Sequence, residues 1–144
     1  MEDKEKEQKL EIFEMNKYIG LEDLEVYQIA REMSKLGWKI YEKFDWQIKK
    51  VIGDQFIRAI DSTGANIAEG YGRYHYLDRI KFFYNARGSL LESQHWSELI
   101  KERNLAEEKD LSSLLELIKK LHPKLNNFIK ANFKTKNGKQ EKFS

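Results

Sequence analysis

Apolar side chains return every three or four positions along most of this chain. Val26, Ala30, Met33, Gly37, Ile40 and Phe44 make one such series, which predicts a helix from about Glu22 to Lys43. Asp45 follows as a candidate N-cap, because its carboxylate can accept from free backbone N–H groups. Ile52, Phe56, Ala59, Thr63, Ile67 and Gly70 predict a second helix from Trp46 to Gly70. Gly70 and Gly72 are expected to stop it by taking the left-handed backbone conformation. Phe83, Ala86, Leu90, Ser93 and Ile100 line a third helix, Leu77 to Arg103, closed by Asn104. A fourth opens on Glu107, Glu108 and Asp110, acids that suit a helix N-terminus. Its stripe is Leu111, Leu114, Leu115, Ile118, Leu121, Leu125, Phe128 and Ile129. Pro123 is expected to bend it, and it is expected to end near Phe133. Four such helices joined by short loops predict an all-α fold, an antiparallel up-down-up-down four-helix bundle over residues 20–132. A charged N-terminal arm, 1–19, is expected to be frayed or disordered, and a basic flexible tail covers 133–144.

Composition narrows the function classes. The chain has 144 residues, which suits one domain. Charged residues make up 35% against 40% hydrophobic, as amphipathic helices with solvated outer faces require. One proline and eight glycines are too few to punctuate many strands. The absence of cysteine excludes disulfides, zinc–thiolate sites and a cysteine nucleophile. No apolar run approaches the roughly 18 residues a membrane helix needs, and no signal-peptide core is visible, so a cytoplasmic protein is expected. The net charge of +2 hides an uneven spread: Lys130, Lys134, Lys136, Lys139 and Lys142 face Glu141 alone near the C-terminus. Such a tail can touch phosphate, or be only a solvated end.

Two polar stripes interrupt the apolar pattern. Ser62, Asn66 and Glu69 share one face of the second helix, and Asn85, Ser89 and Glu92 one face of the third. Gly64 and Gly88 lie among them, each costing roughly 1 kcal/mol relative to alanine in a helix interior, which points to close packing. The stripes read either as a hydrogen-bonded helix–helix contact or as a self-association surface. Glu92 and His95 match the Glu-x-x-His spacing of di-metal bundles, but such centres need two of these motifs and two further glutamates. Ser89 has no nucleophile elbow, and no phosphate-binding glycine loop is present. The chain is read as non-enzymatic, with no catalytic residue, metal or cofactor.

The corner between the second and third helices is different. It gathers Arg73, Tyr74, His75, Arg79 and Lys81, with Arg87 farther along. Basic groups beside flat rings can hold phosphate and stack unpaired bases. Tyrosines at such a corner can equally plug the end of a bundle with their hydroxyls in water.

Residues 57–92, IRAIDSTGANIAEGYGRYHYLDRIKFFYNARGSLLE, resemble the four-helix-bundle proteins named for intervening sequences in 23S ribosomal RNA genes. LEDLEVYQIA and GDQFIRA fit the same family, and the resemblance spans about residues 20–132. Asn66, Glu69, Gly70, Gly72, Arg73, Gly88, Ser89 and Glu92 are the family-like positions. The resemblance implies a homo-oligomer, a pentamer being the expected state, and through a related bundle family a basic surface that meets nucleic acid. The combined expectation is a homo-oligomeric accessory protein that binds RNA or DNA through the corner. The alternative is a protein-interaction or scaffolding module, without a nucleic acid partner, using an apolar face near Trp38 or Trp96.

Overall fold

The computed structural model describes residues 2–7 and 19–137. The described residues are all-α, with no strand. Residues 2–7 are helical; the rest of the predicted N-terminal arm to residue 18, and the tail beyond 137, lie outside the described residues. A 3₁₀ turn, Leu21–Asp23, leads into α1, Glu25–Tyr41. Next comes a continuous helical run, α2, built from Trp46–Ile48, a π-helical stretch Lys49–Gly53, and Asp54–Tyr71. Helix α3 spans Tyr76–Glu102 and α4 spans Glu108–Asn137. No helix among the described residues is long and apolar enough to cross a membrane.

The apolar series do what their spacing demands. The six residues of the first series, Val26 to Phe44, are all buried. So are those of α2, where Thr63 satisfies its hydroxyl by donating to the Ala59 carbonyl at 3.1 Å. Phe83, Ala86, Leu90 and Ile100 of α3 meet Leu111, Leu114, Ile118, Leu121, Leu125 and Ile129 of α4 in one core. Helix α1 packs on α2 and α4, and α3 packs on α2 and α4. Lys39 of α1 reaches the buried Asp110 near the start of α4 at 3.1 Å. Lys124 of α4 reaches Glu25 at the start of α1 at 2.8 Å, and this ammonium holds the Glu25 carboxyl below the usual range.

The helix ends show two departures from the sequence reading and two agreements. Asp45 caps α2 as expected, its Oδ1 accepting from the Ile48 N–H at 2.9 Å. Asn104 closes α3 at φ 59°, the left-handed region. Its N–H donates to the Lys101 carbonyl and that of Leu105 to the Ile100 carbonyl, both at 3.1 Å, with Leu105 packed against the core. That paired pattern is the Schellman closure. Gly72, by contrast, sits at φ −82° and ψ −8°, an ordinary right-handed conformation, so the expected left-handed stop is wrong. Gly70 is inside the helix and serves a different purpose: a Cβ there would lie 2.7 Å from Cε1 of Phe83 and 3.0 Å from the Arg79 carbonyl oxygen. The fourth helix does not stop near Phe133 but continues to Asn137, with Pro123 inside it.

The third departure is the π-helical stretch, which periodicity did not signal. It places Lys50 and Val51 outward while Ile52 and Gly53 turn inward. A Cβ on Gly53 would sit 3.0 Å from the Phe44 ring and 3.4 Å from the Tyr41 ring, so this turn is pressed against the end of α1.

Asn104 supplies a direct test of the α3 closure. Asn104→Ala is expected to lower stability by about 1 kcal/mol, because a Cβ without a locally bonding side chain is disfavoured at positive φ. Asn104→Gly is expected to be neutral or slightly stabilising. Urea unfolding followed by circular dichroism reads both; equal midpoints for the alanine and glycine variants would contradict the assignment.

Candidate nucleic-acid interface

Four residues, Gly72 to His75, separate α2 from α3. The Gly72 and Arg73 N–H groups close α2 on the Ala68 and Gly70 carbonyls, at 3.1 and 3.2 Å. The chain then turns, and the Arg79 N–H donates to the His75 carbonyl at 3.1 Å in the first turn of α3. Tyr74 at the tip is 94% exposed, its ring edge-on to His75 at 5.4 Å. Tyr74 is presented to solvent, whereas Tyr71 and Tyr76 on either side of it are half-buried and pack against the core.

The cations of the corner are not equivalent. Arg73 donates from Nη2 to Glu69 Oε1, one turn back, and its guanidinium lies 4.9 Å from the Phe82 ring centre. Its charge is therefore largely answered within the chain. Arg79 has no carboxylate partner among the described residues. Its guanidinium lies 5.8 Å from the Tyr71 ring centre, with a buried Nε that finds no acceptor. Tyr71 in turn donates its hydroxyl to the Ile19 carbonyl, which steadies the ring under Arg79. Lys81 is exposed. Arg87 is held elsewhere: Nη1 donates to Asn126 Oδ1 of α4 at 3.2 Å, and the guanidinium lies 5.0 Å from the Tyr84 ring centre. The structure thus sets Tyr74 beside His75 at the tip and Arg79 in the first turn of α3, neutralises Arg73, and assigns Arg87 to the α3–α4 contact, while Lys81 lies about 200° around α3 from Arg79. Tyr71 belongs to the aromatic group of the corner that the sequence already shows, whereas Phe82 does not stand out there; each ring meets its arginine across the corner, Tyr71 of α2 with Arg79 of α3 and Phe82 of α3 with Arg73 of the connection.

The polar stripes are half-buried or exposed. None of their hydrogen bonds joins α2 to α3: Asn66 Nδ2 donates to the Ser62 carbonyl at 2.9 Å, Glu69 accepts from Arg73, and Trp96 Nε1 donates to Glu92 Oε1 at 3.1 Å. The Ser89 carbonyl accepts from Ser93 Oγ at 2.8 Å. A Cβ on Gly64 would sit 3.4 Å from the Ala30 Cβ of α1, but a Cβ on Gly88 would meet nothing within 4 Å. The expected close packing at Gly88 is therefore absent within the chain. Gly88 lies on an outward face of α3 with exposed Leu77, Tyr84 and Leu91, spaced seven residues apart.

This arrangement can be set beside known proteins. The family model for the 23S rRNA-intervening sequence protein matches residues 22–127. The chain belongs to the 23S rRNA-intervening sequence protein family. A crystal structure described as a protein with unknown function from the S23 ribosomal protein family of Bacteroides thetaiotaomicron is similar to it, with a TM-score of 0.64. The two are 21% identical over 73% of this chain and 98% of that one, which speaks for the fold alone. No curated protein matches the chain.

The matched span of this family member contains both polar stripes and the whole corner. Among the described residues no three histidine or acidic side chains converge as a metal-ligand group. Glu92 is engaged by Trp96, and His95 stacks edge-on to the same ring at 4.8 Å, so the Glu-x-x-His pair faces its own neighbours.

Proposed function

We propose that this family member is a non-enzymatic, homo-oligomeric protein that binds RNA or DNA through the α2–α3 corner. The observation that carries the proposal is Arg79: a guanidinium seated on Tyr71, free of any described carboxylate, beside the fully presented Tyr74 and His75. Backbone phosphate would take the cation, and Tyr74 would offer a ring face to an unpaired base. For the fold we propose an antiparallel up-down-up-down four-helix bundle. The ties of Lys39 with Asp110, Lys124 with Glu25, and Arg87 with Asn126 support it: the end of α1 meets the start of α4, the start of α1 meets the second half of α4, and the first half of α3 meets the second half of α4. Self-association, with a pentamer as the expected state, is supported by the outward Leu77–Tyr84–Leu91 face and by Gly88, whose missing side chain has no reason within one chain. Light scattering after gel filtration tests this; a monomer at micromolar concentration would refute it.

A salt titration of nucleic acid binding tests the corner. The logarithm of affinity should fall linearly with the logarithm of salt concentration as counterions leave the phosphates. Arg79→Ala should weaken binding by about tenfold and reduce the slope by roughly 0.7 to 0.9, one phosphate contact. Arg73→Ala should do much less, because Glu69 already neutralises Arg73. Glu69→Gln should strengthen binding by releasing that guanidinium. Absence of binding at low salt, or equal losses for the two arginines, would contradict the assignment.

A further inference from the structure

A second cluster of rings and cations stands at the other end of α2. Trp46, its first residue, is 70% exposed, and Trp38, in the last turn of α1, is 54% exposed. Large indoles left this open in a chain with a well-filled core call for a ligand. The Trp38 ring lies 5.4 Å from Tyr41, tilted by 32°. Lys49 Nζ lies 4.9 Å from the Tyr41 ring centre, and Lys50 Nζ lies 5.8 Å from that of Trp46. Val51 is exposed beside them.

The local acids are already engaged. Asp45 caps α2, and Asp54 accepts the Tyr41 hydroxyl at 2.6 Å. The neighbouring Lys39 reaches Asp110 of α4, and Lys43 reaches Glu107 just before it. Glu42 remains at the exposed rim. Lys49 and Lys50 have no carboxylate partner among the described residues. The cluster therefore presents two exposed indoles with two uncommitted ammonium groups, so its ligand should carry flat rings and negative charge together.

We propose that the α1–α2 corner is a stacking platform for unpaired bases of a single-stranded nucleic acid, with Trp46 and Trp38 taking bases and Lys49 and Lys50 taking the adjoining phosphates. An exposed ammonium over a ring is held weakly and exchanges for a base, which stacks more strongly, while the lysine swings to the phosphate. A duplex hides the faces of its internal bases and offers phosphate, sugar and base edges instead. The platform lies about 35–40 Å from the α2–α3 corner, taking 1.5 Å per residue along α2. It can therefore bind or fail independently of that corner.

Tryptophan fluorescence is the test, with ten-nucleotide oligo(U) and oligo(dT) as single-stranded probes and a blunt ten-base-pair DNA duplex as control, at low salt. Both single strands should quench the fluorescence; a preference for one identifies RNA or DNA as the source. Trp46→Ala should weaken single-strand binding by about tenfold and leave duplex binding unchanged. Lys49→Glu with Lys50→Glu should lower the single-strand salt slope by at least about 1.4, two phosphate contacts. Trp96→Phe should keep the quench, and so should Arg79→Ala, which separates this platform from the α2–α3 corner. A thermal melt of Trp46→Ala should match the parent, since the ring is mostly in solvent. No quench by either single strand, or equal losses of duplex and single-strand binding in Trp46→Ala, would overturn the platform. So would a change in molar mass by light scattering in Trp46→Ala, which would assign the rings to a contact between copies.

Discussion

Gly70→Ala is expected to destabilise the protein by about 2–3 kcal/mol, against the helix preference of alanine. In an open helix the same change would gain roughly 1 kcal/mol. Here the new Cβ would stand 2.7 Å from Cε1 and 2.8 Å from Cδ1 of Phe83, and 3.0 Å from the Arg79 carbonyl oxygen. Phe83 is fully buried and packs edge-on against Phe128 at 4.9 Å, so its ring has nowhere to swing. The carbonyl belongs to the backbone of α3 and moves only if the helix moves. Relief must come from separating α2 and α3, which opens the core along their length. Gly70→Leu should not fold stably. Denaturant unfolding reads the effect as a lowered midpoint with an unchanged slope. A midpoint raised by Gly70→Ala would show that the two helices slide apart without loss.

Phe83→Ala is expected to cost about 3–5 kcal/mol, more than Gly70→Ala. The ring contributes to the contact with Gly70 on one side and with Phe128 on the other, and its removal leaves a cavity where three helices meet. The combination with Gly70→Ala gives the sharper result. Once the ring is absent, the alanine Cβ keeps only its contact with the Arg79 carbonyl. The double variant should therefore be more stable than the sum of the two single losses, by about 1 kcal/mol or more. Strict additivity in the same unfolding measurement would show that Gly70 is required by the backbone alone and not by the ring.

These two residues also mark the limit of what the sequence discloses. Phe83 belongs to an apolar series, and periodicity alone buries it. Gly70 was placed correctly at the α2–α3 junction but for the wrong reason. Its role comes from a residue 13 positions away on another helix, a contact that no local rule contains. The same division holds elsewhere. Asp45 and Asn104 act within a few residues of themselves, so cap chemistry identifies both. The π-helical turn at Lys49–Gly53 reflects pressure from Tyr41 and Phe44, which belong to the preceding helix and its turn.

In the candidate site the legible part was the grouping and the hidden part was the balance of charge. Glu69 and Arg73 are four apart, a visible spacing, yet Glu69 reads equally well as a member of the polar stripe. Only the folded corner shows which partner it takes. Arg87 already stands apart from the corner in the sequence, but its partner Asn126, 39 residues distant, has no sequence signature. The cluster of Trp38, Tyr41, Trp46, Lys49 and Lys50 is assembled by the reversal at Asp45, which brings the last turn of α1 onto the first turns of α2.

The π-helical turn has a consequence for how this chain tolerates change in length. A π turn holds one residue more than the α-helical turn it replaces, and one residue is about 100° of rotation. Deleting a residue anywhere after Gly53 would swing the inward stripe of α2 out of the core. Deleting one within Lys49–Gly53 would instead let the helix relax to regular winding with that stripe still in phase. The turn therefore acts as a slip joint. Upstream of it, Trp46 and Asp45 can be re-aimed in steps of a single residue, and the core from Phe56 onward need not register the difference.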